Sequence, residues 1–306
     1  MSRESDFISA LRALATDPAA RGLRDDAAVM EIGGARLVLT HDMIVEGVHF
    51  LATDPPADVA WKLLAVNLSD LAAKGATPVG ALLGYSLGHA DWDAAFLDGL
   101  RDALAAFAVP LLGGDTVAAL SGAPRTFSLT ALGTADVVPS RSGAAEGDGL
   151  FVTGTIGDAG PGLEIAAGRR DGPAELLAAY RRPQPRLKEG RRLAPHVHAM
   201  MDISDGLLID ASRMAEASGL AAVIDLDLIP LSDALTRLVG DNREARLRAA
   251  QAGDDYELLF AAPVLPDGVG VTCIGRFVTG AGLSLEDAAG AVPLPSRLGY
   301  EHGETR

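Results

Sequence analysis

The sequence predicts an α+β protein of two domains. A chain of 306 residues buries a large core and readily divides in two. Each half mixes helix-period apolar stripes with short strand-like runs, but without a regular strand–helix–strand alternation, so α+β is favoured over a doubly wound α/β sheet. A polar, glycine-bearing stretch, Ser140–Gly149, reads as the linker and divides the chain into 1–138 and 139–306.

In chain order, a short helix is expected over Asp6–Ala15. The apolar runs Ala27–Ile32 and Arg36–Thr40 flank Gly33-Gly34 and predict paired strands. Pro55-Pro56 closes a loop, Asp58 is placed to cap a helix over Val59–Lys74, and Gly75 is its stop. Trp61, Leu64, Leu68 and Leu71 fall on one face of that helix as a core stripe. A strand over Val79–Leu87, a helix over Asp91–Phe107 and strands at Val109–Leu112 and Arg125–Leu132 complete the first half. The second half opens on a strand at Leu150–Thr153. Helices are expected over Gly162–Ala167, Arg186–His198, Asp205–Ser218 and Ala245–Ala252, and strands over Ala221–Leu226, Tyr256–Ala261 and Val271–Arg276.

The formal net charge of -15 argues against nonspecific binding to nucleic acid or to an anionic membrane, since both require positive potential. The single cysteine, Cys273, excludes an intrachain disulfide and reads as a buried small apolar residue. The first residues lack an apolar signal core, and no apolar run reaches the length of a membrane span, so the cytoplasm is the expected location.

Several motifs fail on context. Gly84-Tyr85-Ser86-Leu87-Gly88 matches a nucleophile elbow but sits in a strand with no immediate helix. The glycine-rich run from Gly154 to Gly162 lacks the Lys-Ser/Thr pair of a P-loop. His196 and His198 have no third metal ligand nearby in sequence.

The informative signal is a series of aspartates where apolar runs end: Asp25-Asp26, Asp42, Asp70, Asp115, Asp202 with Asp205, and Asp254-Asp255. A poorly solvated carboxylate is costly unless paired. Lysine and arginine are too few and scattered to pair with all of them, so a divalent metal is the natural shared partner. Asp42 ends the run Leu37–Thr40 and is aimed by it. Asn67, Asp70 and Lys74 share one line of a helix. Gly113-Gly114 before Asp115 would let phosphates approach the backbone. Ser204 and Asp205 begin a helix, where a hydroxyl and free N–H groups meet phosphate oxygens. Taken singly, Asp25, Asp205 and Asp255 read rather as caps or turns, and Asp26, Asp42, Asp70, Asp115 and Asp202 read equally as caps or turns or as ligands. Taken together they support Mg2+-dependent chemistry on a phosphate ester without a P-loop.

The runs Asp25–Ala28, His41–Phe50, Ala65–Ala73, Gly113–Thr116, Asp202–Leu207 and Gly253–Leu258 resemble, in order, those of the thiamine-monophosphate kinases, in the aminoimidazole ribonucleotide synthetase-like superfamily. The resemblance implies an N-terminal domain that dimerises through its sheet, a C-terminal α+β domain, and ATP-dependent phosphorylation of thiamine monophosphate to the diphosphate with several Mg2+ ions. It implies metal ligands at Asp26, Thr40, His41 (through its backbone), Asp42, Asp70, Asp115, Asp202 and Asp205. ATP contacts fall on Gly114, Asp115, Arg141 and Ser204. Contacts to thiamine monophosphate fall on His49, Asp254 and Tyr300. Asp42, Asp70 and Asp115 are the catalytic candidates. Arg24, His41 and Asp254 stand where the family usually has glycine, threonine and glutamate. The alternatives are a ligase-type relative that activates a carbonyl oxygen with ATP, and a non-catalytic nucleotide-binding relative.

Overall fold

The computed structural model describes residues 3–120, 122–264 and 268–301. Its first half holds α1 (Arg3–Arg12), a 3-10 turn at Pro18–Leu23, β1 (Ala28–Ile32), β2 (Ala35–Val45), α2 (Pro56–Ala73), β3 (Thr77–Leu87), α3 (Ala90–Phe107), β4 (Leu111–Ala118) and β5 (Thr126–Thr134). These strands form a five-stranded sheet in the order β1-β2-β5-β3-β4. Only the β3–β4 pairing is parallel.

The second half holds β6 (Gly149–Thr153), α4 (Ala159–Ala166), α5 (Ala174–Arg181), α6 (Leu187–Leu193), β7 (Ala199–Asp202), α7 (Leu207–Ser218), β8 (Ala221–Asp225), α8 (Asp233–Val239), α9 (Arg243–Gln251), β9 (Leu258–Ala262), β10 (Val271–Val278), β11 (Gly282–Asp287) and β12 (Gly290–Val292). Its seven-stranded sheet runs β12-β11-β8-β10-β6-β9-β7. The α+β class expected from the sequence is the class observed.

Helix α2 positions the site. It is buried on nearly every face, because it lies between the two halves. Leu63, Leu64, Leu68 and Leu71 share one continuous core with Val38, Phe127 and Leu129 of the first sheet and with Phe151, Met200, Leu258 and Phe260 of the second. Its start differs from expectation. Pro55 is the N-cap residue and Pro56 the first helical residue. Proline there carries the helical φ and lacks an N–H that would go unused. Asp58 therefore lies in the first turn and binds Arg182 at 2.5 Å instead of capping.

Other differences have local causes. β2 runs on through Asp42 to Val45, because the inward alternation Val38, Thr40, Ile44 continues without a break. Gly113–Asp115 lies inside β4 and not in a loop after it. The helix expected over Arg186–His198 stops at Leu193 and gives way to a 3-10 turn containing Pro195. Cys273 is exposed, beside a register shift between Cys273 and Gly275 on β10.

Candidate active site

Strand alternation decides which side chains of β2 reach the site. Thr40 is buried and faces α2, and Asp42 follows with the same parity; His41 is exposed on the opposite face, where its Nδ1 lies 2.8 Å from Thr130 Oγ1. The line of residues on α2 meets this strand. Asn67 Oδ1 accepts the N–H of Asp42 at 3.0 Å, and Asp70 Oδ2 accepts the Thr40 hydroxyl. Lys74, with no exposure at all, donates to Asp25 and to Met200 O at 3.0 Å, and lies 2.8 Å from Asp26 Oδ2 without hydrogen-bond alignment.

Asp202, at the end of β7, brings the second half into the same place, and its Oδ2 accepts the Ser69 hydroxyl of α2 at 2.6 Å. One carboxylate oxygen from each of Asp26, Asp70 and Asp202 lies within 4.8 Å of the other two. Burial, reinforced by like charge, shapes their protonation. Burial pushes Asp42 up to about 6, with Asp26 and Asp205 adding to it against the pull of His41. Burial pushes Asp202 up to about 8, with Asp26 adding and Ser69 opposing. Asp70 is raised well above the usual carboxylate range by burial first and then by Asp42, Asp202 and Asp26. Oxygen donors crowded this way, with hydroxyls as the only side-chain hydrogen-bond partners of Asp70 and Asp202 among the described residues, suit a hard divalent cation. Asp25 behaves oppositely: burial would raise it, but Lys74 and Arg21 together bring it down to about 2.

Arg141 donates to Asp26 through Nη2, and its buried Nε has no hydrogen-bond partner among the described residues. Ser204 and Asp205 precede α7 and do not begin it, since Gly206 is the N-cap residue. Their N–H groups are not free: both donate to Asp210 Oδ2, at 3.2 and 3.1 Å. Asp210 is fully buried, is pushed up to about 6 mainly by burial, and pairs with Arg213 at 2.8 Å. It sets the loop geometry and was missed in the sequence. Its signal was a charged residue after Leu207-Leu208-Ile209 in a helix.

Asp115 stands apart from the carboxylate cluster. It is exposed on β4, next to Gly114, and register carries Asp42 to Leu129, Leu83 and then Gly114. Three strand spacings make about 14 Å. Gly114 has φ +153, and a Cβ there would sit 1.9 Å from Leu83 O, so the glycine serves close strand approach.

His49, Asp254 and Tyr300 are each tied to neighbouring backbone. His49 Nδ1 accepts the N–H of Val45 at 3.1 Å. Asp254 has φ +66 and is fixed by its N–H to Ser204 O at 2.8 Å. Tyr300 donates its N–H to Asp205 O at 2.9 Å. The Tyr256 hydroxyl donates to Asp254 at 3.0 Å. Its phenol is raised by burial and then by Asp254, Asp42 and Asp202, so Asp254 borders the carboxylate cluster. The discarded motifs stay structural. Ser86 donates to Thr126 O at 2.8 Å inside the sheet, and His198 Nδ1 lies 2.9 Å from Asp148 Oδ2.

The comparisons with known proteins converge. The AIR synthase related protein N-terminal domain matches residues 24–135, and the C-terminal domain of the same family matches residues 145–264. The thiamine-monophosphate kinase of Caulobacter vibrioides is 41% identical over 310 residues, covering 94% of this chain and 86% of that protein. The Escherichia coli enzyme of the same name is 39% identical, covering 83% of each. Among solved structures, AaThiL complexed with AMPPCP and TMP aligns with a TM-score of 0.83 at 30% identity, over 91% of this chain and 92% of that one. The thiamine-monophosphate kinase of Stenotrophomonas maltophilia K279a aligns with a TM-score of 0.76 at 37% identity, over 92% of this chain and 94% of its own. With both domains matched and identity sustained over most of its length, the chain belongs to the thiamine-monophosphate kinases, a family of enzymes built on the AIR synthase related fold.

Proposed function

We propose that this enzyme transfers the γ-phosphoryl group of ATP directly to the phosphate of thiamine monophosphate, giving thiamine diphosphate and ADP. The observation that carries the reading is the convergence of Asp26, Asp70 and Asp202, from both halves of the chain, to within 4.8 Å, with Asp42 alongside. It is supported by the family and by the relative complexed with AMPPCP and TMP.

Asp26, Asp42, Asp70 and Asp202 would hold Mg2+, with Thr40, the backbone of His41 and Asp205 at the edge; Asp115, three strands away on β4, would hold a separate ion. Bound magnesium supplies positive charge to the phosphate chain. The acceptor phosphate is ionised near neutral pH, so an in-line attack by its oxygen on the γ-phosphorus needs positioning more than a general base. Arg141, with Nε unspent, would bind ATP phosphates together with Ser204 and Gly114. His49, Asp254 and Tyr300 would hold thiamine monophosphate. The Oγ of Ser69 on Asp202 and of Thr40 on Asp70 orient the carboxylates.

A homodimer is part of the proposal. Met43, Leu82 and Leu112, all between 41% and 58% exposed, lie on the first sheet or its edge, and every residue of β4 is exposed. An apolar, unpaired strand edge favours pairing with a second copy. The proposed location is the cytoplasm. No helix among the described residues is long and apolar enough to cross a membrane.

The test is to incubate the protein with Mg-ATP and thiamine monophosphate and measure ADP and thiamine diphosphate. Stoichiometric formation of both is expected, and Asp42→Asn is expected to abolish turnover with the fold intact. Absence of product at ample enzyme overturns the reading. ATP-dependent turnover of formylglycinamidine ribonucleotide would favour the ligase alternative.

A further inference from the structure

Lys62 is a lysine in α2 with 2% of its surface exposed, and none of the roles above uses it. Its ammonium donates to the backbone oxygen of His49 at 3.0 Å and to Asp254 Oδ2 at 2.6 Å. A third side of the ammonium is closed by the ring of Tyr180, 4.2 Å away. That ring is held in place because the Tyr180 hydroxyl donates to buried Asp54 at 2.9 Å, and Asp54 also accepts from Arg181 at 2.9 Å. His49, Asp54 and Lys62 belong to the first half of the chain, and Tyr180 and Asp254 to the second. One buried charge therefore ties together residues from both halves.

We infer that Lys62 is a positioning residue that assembles the thiamine monophosphate site, by holding the His49 loop and the Asp254 carboxylate in fixed relation across the two halves. The inference rests on the proposed function, which places that substrate at His49 and Asp254. Asp254 has one oxygen on Lys62 and the other on the Tyr256 hydroxyl at 3.0 Å, while its side chain stays 31% exposed. It is thus clamped but accessible. The clamp also has work to do on the backbone. Asp254 and Tyr256 adopt φ of +66 and +52, which side chains other than glycine rarely hold unless surrounding contacts enforce it. An ammonium buried under an aromatic face, with a carboxylate and a carbonyl as acceptors, is well compensated and rigid. Losing it would free the carboxylate to rotate and the His49 loop to move.

The experiment measures kcat and KM for thiamine monophosphate and for ATP in Lys62→Met, Asp254→Asn and the double variant, with calorimetric binding of thiamine monophosphate alongside. Lys62→Met is expected to raise KM and Kd for thiamine monophosphate at least tenfold while KM for ATP stays within twofold. Asp254→Asn is expected to raise the same constants, and the double variant to be no worse than the poorer single one, since both act through one carboxylate. A latch that only held the halves together would lower the melting temperature without separating the two KM values. The inference is overturned if Lys62→Met binds thiamine monophosphate within twofold of the wild type, or if the two losses multiply. Should Asp254→Asn leave that KM unchanged, the placement of the substrate at Asp254 fails and takes this inference with it, while wild-type turnover still stands as the separate test of the kinase activity. If Lys62→Met does not fold, Lys62→Gln carries the same comparison, because its amide keeps a donor and loses the charge.

Discussion

The side-chain amide of Asn67 accepts the backbone N–H of Asp42 at 3.0 Å, while its own Nδ2 donates to Leu63 O at 2.9 Å. Asn67 has no solvent exposure, so this pair fixes the strand carrying Asp42 against the helix carrying Asp70. Asn67→Leu would keep the branched shape, with somewhat bulkier methyl ends, and leave the Asp42 N–H without its partner. Such a loss costs about 1–3 kcal/mol. Urea denaturation is expected to show that decrease, together with a fall in kcat. Unaltered stability would mean that the strand is held by other contacts.

The raised carboxyls make stability and magnesium response depend on pH in a defined direction. Asp42 and Asp202 move from an ordinary 3.8 to about 6 and about 8. A carboxyl with a raised folded pKa binds its proton more tightly when folded. Stability from these groups therefore falls as pH rises from about 4 to about 8. Asp25, lowered to about 2, works in the opposite sense: its contribution is present above 3.8 and lost as pH drops toward 2. The melting temperature of the protein without divalent ions is expected to fall between pH 5 and about 8. Added Mg2+ must displace those protons, so its stabilising increment is expected to grow over the same interval. Asp202→Asn is expected to flatten both trends. A magnesium increment that did not change with pH would contradict the assignment of these carboxylates as its ligands.

Much of this arrangement was legible in the sequence because it depends on local spacing. In the i, i+3, i+7 line, Asn67 and Asp70 do face the strand bearing Asp42, while Lys74 reaches Asp25 and Asp26 ahead of β1. What stayed hidden depends on tertiary context. The burial of Lys62 and Lys74 follows from α2 lying between two sheets, which no periodicity within α2 reports. Ser204 and Asp205 looked like a helix start with free N–H groups, but a buried carboxylate one turn into α7 takes both. The helices α5 and α8 were not anticipated, because each spans only about two turns and offers few periodic positions. Cys273 looked buried by composition, yet its placement beside a bulge turns it outward.

Gly114 links strand geometry to the proposed phosphate and dimer surfaces. A Cβ there would come within 1.9 Å of Leu83 O, and φ of +153 is poorly tolerated by other residues. Gly114→Ala must therefore shift β4 away from β3. The backbone strain alone costs about 1–3 kcal/mol, and the clash adds to it. A lower melting temperature and a shift toward monomer in sedimentation are expected. A dimer of wild-type stability would show that β4 is not its contact edge.

Asp210 gives the sharpest separation between holding a loop and holding a substrate. It accepts the N–H groups of Ser204 and Asp205 on one oxygen and Arg213 on the other, and it is fully buried. Asp210→Asn preserves the shape and one acceptor oxygen, but loses the charge facing Arg213 and puts an amide donor where an acceptor is needed. The guanidinium keeps its 2.6 Å contact to Asp205, so the fold is expected to survive with a reduced melting temperature. The loop bearing Ser204 and Asp205 would turn, drawing Asp205 further toward Arg213. Supporting contacts of this kind typically contribute 10- to 100-fold. The expected result is about that loss in kcat/KM for ATP. Because Ser204 O also anchors the Asp254 N–H at 2.8 Å, a smaller rise in KM for thiamine monophosphate should accompany it. If instead the thiamine monophosphate constant rose more than that for ATP, the loop would belong chiefly to the acceptor side, and the roles given to Ser204 and Asp254 would have to be exchanged.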